Sequence, residues 1–174
     1  MAVSGWVIEK LAKRHDKAAF SCGVADLDDC LHRFAGQNER AGLGQHYVAV
    51  ATAGGGGDAK ILGYYSLSAG SVAFDVVPDD LRKRLPRYPV PVAHLGWLAV
   101  DSSAQGRGLG ADLLIDALAR VVRTADQIGI HAIEVVAINA KAKSFYVKCG
   151  FTPLLDDELH LYLPLSTVRK LGLA

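Results

Sequence analysis

The sequence predicts an α/β fold, a single domain over residues 1–174 with a central mixed β-sheet flanked by helices. Three observations predict it. A nearly continuous apolar run at 93–100 suits a central strand buried on both faces. A glycine-rich turn follows it, and apolar residues then recur at helical spacing from about 108 to 128. A second strand-like run occupies 133–138, and a strand–helix–strand unit favours parallel pairing.

Taken in order, 24–37 carries Leu27, Leu31 and Phe34 at spacings of four and three, which predicts an amphipathic helix. Residues 45–51 and 61–69 are rich in strand formers. Between them Gly54-Gly55-Gly56-Gly57-Asp58 reads as a flexible hairpin loop. A short basic helix is expected over 79–85, stopped by Pro86, Pro89 and Pro91. After the 93–100 strand and a turn at 101–106, Leu113, Leu114, Ala117, Leu118, Val121, Val122, Ala125 and Ile128 form one helical stripe. Gly129 is its expected stop. Asn139 can cap a short helix reaching Cys149 and ended by Gly150. Strands at 151–155 and 159–163 would pair through Asp156-Asp157-Glu158.

Bulk properties narrow the function. Of 174 residues, 51% are apolar and 21% charged, ordinary for a soluble globular protein. No apolar run approaches the roughly 20 residues that span a membrane, and the N-terminus shows no secretory pattern. Cys22, Cys30 and Cys149 form no Cys-x-x-Cys pair, so they are expected to be reduced thiols in a cytoplasm, with no metal site. Nineteen basic residues against eighteen acidic ones give no bulk affinity for nucleic acid. Two local basic sets remain: Lys10, Lys13, Arg14 and Lys17, and Arg82, Lys83, Arg84 and Arg87. Each is a candidate polyanion contact or simply a solvated face.

The sharpest motif is Leu95-Gly96-Trp97-Leu98-Ala99-Val100-Asp101 followed by Gln105-Gly106-Arg107-Gly108-Leu109-Gly110. The first N–H groups of a helix lack internal partners and carry about half a positive charge. Glycines at that point let a diphosphate approach the backbone, and Arg107 can add a cation. No Gly-Lys-Ser/Thr closes the loop as in a Walker motif, and the third glycine of a dinucleotide fingerprint is missing at its spacing.

Gln105-x-x-Gly108-x-Gly110, after an apolar strand and before a long helix, resembles the signature of the GNAT acetyltransferases. Asn139-x-x-Ala142, then Phe145-Tyr146 and Gly150-Phe151, resembles their second signature. The resemblance implies acetyl-CoA as cosubstrate. Backbone N–H groups on Leu98, Ala99 and Val100 would hold the acetyl and pantetheine portions. Gln105, Gly106, Arg107, Gly108, Leu109 and Gly110 would hold the diphosphate, and Asn139 would touch the pantetheine arm. Leu98 N–H would also polarise the thioester carbonyl, a kind of contribution whose removal elsewhere costs roughly 3–4 kcal/mol.

The resemblance also implies that Tyr146, near the end of the short helix after the second signature, is the proton donor to the departing sulfur. A phenol titrates near 10 and a thiol near 8.5, so full transfer is uphill by roughly 2 kcal/mol. Its role is then mainly to hydrogen-bond the sulfur as charge develops. Glu134, His94 and Asp101 are the candidate bases, but Glu134 reads as a solvent-facing strand residue, His94 as a core histidine and Asp101 as a turn residue. Without a strong base the acceptor should be an α-amine, which needs about 1 kcal/mol to be neutral at pH 7, against roughly 4–5 for a lysine.

A narrower resemblance addresses the acceptor. Phe20-Ser21-Cys22-Gly23, Leu27-Asp28, Leu31, Phe34-Ala35 and Gln37, then Gly63-Tyr64-Tyr65-Ser66-Leu67 and 95–101, look like the toxin branch of type II toxin–antitoxin systems. Trp97 departs from it, standing where many members carry arginine. The resemblance implies acetylation of the α-amino group of aminoacyl-tRNA, a ribbon–helix–helix antitoxin and a homodimer, with no membrane association. Arg82, Lys83, Arg84 and Arg87 would contact the tRNA, extended by Arg33 and Arg40, because neutralised phosphates supply most of such affinity. A GNAT enzyme acting on a small amine or a protein N-terminus is the alternative.

Overall fold

Apolar alternation along the chain builds eight strands into a mixed sheet flanked by helices, within the described residues 5–52 and 59–172 of this computed structural model. The glycine run at 54–57 lies outside the described residues. The backbone divides into two compact units, Met1–Ser68 with Trp97–Ala117, and Ala69–Gly96 with Leu118–Ala174.

In the first unit, β1 (Trp6–Lys10) runs antiparallel to β3 (Gln45–Ala51), which runs antiparallel to β4 (Ala59–Val72). A two-residue β2 (His15–Asp16) pairs in parallel with the start of β4. Neither β1 nor β2 is expected from sequence. The 24–37 helix appears as α1 (Ala25–Asp29), a π-helical turn (Cys30–Phe34) and α2 (Ala35–Arg40). A π turn holds more residues than an α turn, which moves the inward position from 34 to 35. Leu27, Leu31 and Ala35 are buried accordingly, and Phe34 is left 50% exposed. The Tyr64 hydroxyl donates to the Leu27 carbonyl (2.5 Å), fastening α1 to β4.

The long helix, α4, spans Leu109–Ala125. Its first turns approach β4 so closely that a Cβ on Gly63 would lie 2.9 Å from Leu113 Cδ1 and 3.2 Å from Leu109 Cδ2. The helix stops short of 128. Thr124 Oγ1 donates to the Arg120 carbonyl (2.9 Å), and Gln127 N–H bonds the Thr124 carbonyl (2.9 Å) in a tighter, three-residue closure. Ile128 therefore leaves the stripe, 57% exposed, and Gly129 takes no left-handed conformation.

The strand β5 (Val90–Val100), in the second unit up to Gly96, pairs there in parallel with β6 (Ala132–Val136) from Val92↔Ala132 to Leu95↔Val135, as the strand–helix–strand reading requires. β5 continues five residues past Leu95. Its Gly96, Trp97, Leu98 and Val100 are only half-buried, as is His94, so burial on both faces holds at Val92 and Ala93 but not along the strand. The helix α3 covers just Asp79–Arg82. Asn139 Oδ1 accepts from Ala142 N–H (2.9 Å) to start α5 (Ala140–Lys148), and Gly150, at φ 99°, ends it. β7 (Thr152–Pro153) and β8 (His160–Pro164) pair antiparallel, followed by an unforeseen α6 (Leu165–Lys170).

Candidate active site

The glycine loop joins the end of β5 to α4. Gly106 and Gly108 hold φ of 75° and 86°, the left-handed region that L side chains avoid. A Cβ on either would meet nothing within 4 Å, so the space above both is open. Gly110 is different: its φ is ordinary, and a Cβ there would make normal contact with Val100 Cγ2 (3.8 Å). The helical ladder begins with Asp112 N–H to the Gly108 carbonyl (3.2 Å), which leaves the amides of Leu109, Gly110 and Ala111 ahead of it.

Three devices hold this loop. Gln105 Nε2 donates to the Val100 and Cys22 carbonyls, both at 3.0 Å. Its side chain thus braces the loop. Asp101 is a turn residue, as expected, but a buried one that accepts from Ser21 N–H (3.0 Å), Ser103 N–H (2.9 Å) and Ser103 Oγ (2.6 Å). Burial opposes its ionisation, yet those bonds and Lys60 outweigh it and hold the carboxyl below its ordinary range. Asp101 is therefore an anchor, with both oxygens engaged in holding the loop. Arg107, exposed, lies with its guanidinium carbon 5.2 Å from the centre of the Trp6 ring. Trp6 in turn donates from Nε1 to Asp112 Oδ2 (2.9 Å). Nothing in the local sequence signals this contact, which joins positions 106 residues apart.

On β5, Trp97 N–H donates to Ser66 Oγ (3.0 Å) and its ring packs against the core of the first unit. Tryptophan here serves packing. Leu98 and Val100 are half-buried and Ala99 is buried.

Tyr146, Asn139, Glu134, His94 and the basic segment at 82–87 belong to the second unit. Tyr146, on α5, is 5% exposed, with its ring edge-on to Phe145 (5.2 Å) and Phe151 (5.5 Å). Burial, aided by Cys149, pushes its pKa well above the ordinary 10. The phenol thus stays protonated throughout the physiological range. Asn139 uses Oδ1 as the α5 cap, which commits that oxygen and leaves its amide nitrogen outside the cap.

Glu134 corrects the sequence reading. It is 8% exposed, with both oxygens engaged: His94 Nδ1 donates to one (2.7 Å) and His160 Nε2 to the other. His160 Nδ1 also donates to Asp156 Oδ2 (2.9 Å). Burial opposes ionisation of Glu134, but the two imidazoles outweigh it and hold the carboxyl below 4.5. For His160, burial opposes the charge, and hydrogen bonds to Asp156 and Glu134 overcome it, raising the ring above 6.5. With a carboxylate on each nitrogen, His160 is an imidazolium. Glu134 is a buried network centre with each oxygen already paired to an imidazole. His94 is half-buried beside it.

In the basic segment, Arg82 is tied to Asp79 and to the Asp75 carbonyl (3.3 Å) and lies over the Phe74 ring. Arg87 covers the same ring (5.8 Å) and lies 4.0 Å from Asp75, with its side chain 83% exposed. Lys83 and Arg84 are exposed. In the first unit Arg33 pairs with Asp29 (3.7 Å) and Arg40 is exposed. Among the described residues no cluster could hold a metal ion, and no helix is long and apolar enough to cross a membrane.

The acetyltransferase (GNAT) domain family matches residues 43–153. Over 162 residues, 93% of either chain, the sequence is 40% identical to a tRNA-acetylating toxin of Mycobacterium tuberculosis (strain ATCC 25618 / H37Rv). Among solved structures, AtaT complexed with acetyl-methionyl-tRNAfMet matches with a TM-score of 0.88 at 30% identity, over 96% of this chain and 99% of that one. A tyrosine-to-phenylalanine variant of the AtaT toxin, bound to the C-terminus of the antitoxin AtaR and acetyl-CoA, gives 0.81 at 28% identity, over 97% and 98%.

Proposed function

The chain belongs to the GNAT acetyltransferases, and from that premise we propose that it moves the acetyl group of acetyl-CoA onto the α-amino group of aminoacyl-tRNA, as the toxin of a toxin–antitoxin pair. The observation that carries this reading is the open, left-handed glycine loop at the start of α4, in a chain alike over nearly its full length to a tRNA-acetylating toxin. We read residues 1–174 as one such domain.

The loop suits the donor. Gly106 and Gly108 clear the space a diphosphate needs, the amides at the head of α4 offer hydrogens to it, and Arg107 adds a positive charge. Gln105 contributes by keeping the loop in shape. Leu98 N–H polarises the thioester carbonyl, flanked by Ala99 and Val100, and Asn139 meets the pantetheine arm through its free amide nitrogen. Tyr146 keeps its proton, so it serves as a hydrogen-bond donor to the sulfur while solvent supplies the proton. With Glu134 and Asp101 both committed, an α-amine, which needs only about 1 kcal/mol to be neutral at pH 7, is the acceptor this chemistry suits.

Lys83, Arg84 and Arg87 meet the tRNA phosphates, whereas Arg82 shapes the segment through Asp79 and Phe74. Acting on these substrates, it would work in the cytoplasm. Its neutralising partner is a small ribbon–helix–helix protein, and it works as a homodimer.

The test is to induce wild type and Tyr146→Phe in a bacterium and examine charged tRNAs by mass spectrometry. Wild type should arrest growth with acetylated aminoacyl-tRNA present. The variant should acetylate at least about 100-fold more slowly with acetyl-CoA affinity unchanged. Growth arrest with no acetylated aminoacyl-tRNA would refute the proposal.

A further inference from the structure

Arg107 stands at the mouth of the glycine loop, but an exposed arginine is ordinarily spread over many rotamers and its charge over a wide volume. Here it is not loose. The guanidinium carbon lies over the Trp6 indole, 5.2 Å from the ring centre, and the indole is itself fixed by its N–H bond to Asp112 Oδ2 at 2.9 Å. Trp6 is 9% exposed, on the edge strand β1, and Asp112 sits in the first turn of α4. A carboxylate in that turn is unfavourable beside a helix start that must receive an anion, since both compete for the same dipole. Its oxygen is spent on the indole. The arrangement makes sense if the object is to hold the guanidinium in place beside the loop while the side chain stays exposed to an incoming anion.

We infer that Trp6 and Asp112 are positioning residues that hold Arg107 as a fixed cation for a phosphate group of the acyl donor. The inference rests on the donor being acetyl-CoA, as proposed above, and is independent of the acceptor. Neither Trp6 nor Asp112 touches the donor; both act through Arg107. A fork held in one plane grips a phosphate with two parallel bonds, which a freely rotating arginine forms less often.

Calorimetry with acetyl-CoA and no acceptor tests this, so an error in the tRNA assignment leaves the readout intact. Arg107→Ala and Trp6→Ala should each weaken binding about tenfold, and the double variant should be no weaker than Arg107→Ala alone. Asp112→Ala, which removes no core side chain, should weaken binding at least threefold, and Asp112→Asn, which keeps an acceptor oxygen, should restore most of it. In turnover the change should appear in KM for acetyl-CoA with kcat held. S-acetylpantetheine, which lacks every phosphate, should be used equally by wild type and the Trp6 and Asp112 variants. Acetyl-dephospho-CoA then identifies the group: a persisting penalty assigns Arg107 to the diphosphate, and a vanished one assigns it to the 3′-phosphate. Additive losses in the Trp6/Arg107 double variant, or an equal penalty with S-acetylpantetheine, would overturn the inference, because either would mark Trp6 as packing alone.

Discussion

At the start of α4, hydrogen-bonding groups are left unspent; around Glu134 they are consumed. The glycine loop is made from consecutive residues, and its amides open onto clear space above Gly106 and Gly108. The His94–Glu134–His160–Asp156 chain draws on β5, β6, β8 and the turn before β8, and it pairs both oxygens of Glu134 and both nitrogens of His160. The difference separates a surface prepared for a ligand from one that has satisfied itself. Charge alone would have ranked them the other way, since the Glu134 chain holds more ionisable groups than the loop.

Breaking the loop should give the largest effect. Gly106→Ala with Gly108→Ala forces two side chains into the left-handed region at about 1–2 kcal/mol each. Acetyl-CoA affinity by calorimetry should fall about 30-fold or more. Gly110→Ala is the internal control, expected to stay within about twofold, because its φ is ordinary and its Cβ contact is normal. If Gly110→Ala is as damaging as the pair, the loop's backbone conformation is not what the ligand requires.

The Glu134 chain should respond in stability instead. Glu134→Gln removes one carboxylate from between two imidazoles, and urea unfolding near pH 6 should show a loss of about 1–3 kcal/mol, with acetyl-CoA affinity little changed. A smaller effect, but a more specific one, lies in the pH dependence. Glu134 has its pKa depressed, so its contribution is present above the ordinary 4.5 and fades as pH falls through the folded value. His160 has its pKa raised, so its contribution is full below the ordinary 6.5 and fades as pH rises through the folded value. The difference in unfolding free energy between wild type and Glu134→Gln should therefore peak between 4.5 and 6.5 and decline on both sides. Taking the difference matters because His46 and His131, whose pKa values burial lowers, push total stability the opposite way as pH falls. A flat difference curve would show that the chain is not the charged network described.

What could be read beforehand follows the same division. The glycine loop, the Asn139 cap, the Gly150 stop and the β5–β6 parallel pair were visible because each is signalled by residues adjacent in sequence or by periodicity. The burial of Glu134 was not. Its partner His94 is 40 residues away, and strand alternation alone cannot say which face is covered. Trp6 gave no sign for the same reason, being 106 residues from Asp112. The π turn at Cys30–Phe34 was hidden because the spacing of Leu27, Leu31 and Phe34 fits an unbroken α-helix as well. β1, β2 and α6 are short, and their neighbours hold them in place more than their own propensities do.

Gln105 bridges two carbonyls, those of Cys22 and Val100, from a single amide nitrogen. A crosspiece of that kind is assembled when the chain folds, ahead of any encounter with the acyl donor. The entropy of ordering this side chain is thus already spent, and capture of the donor does not have to order it. Its rate should be governed by how often the two molecules collide in a suitable orientation.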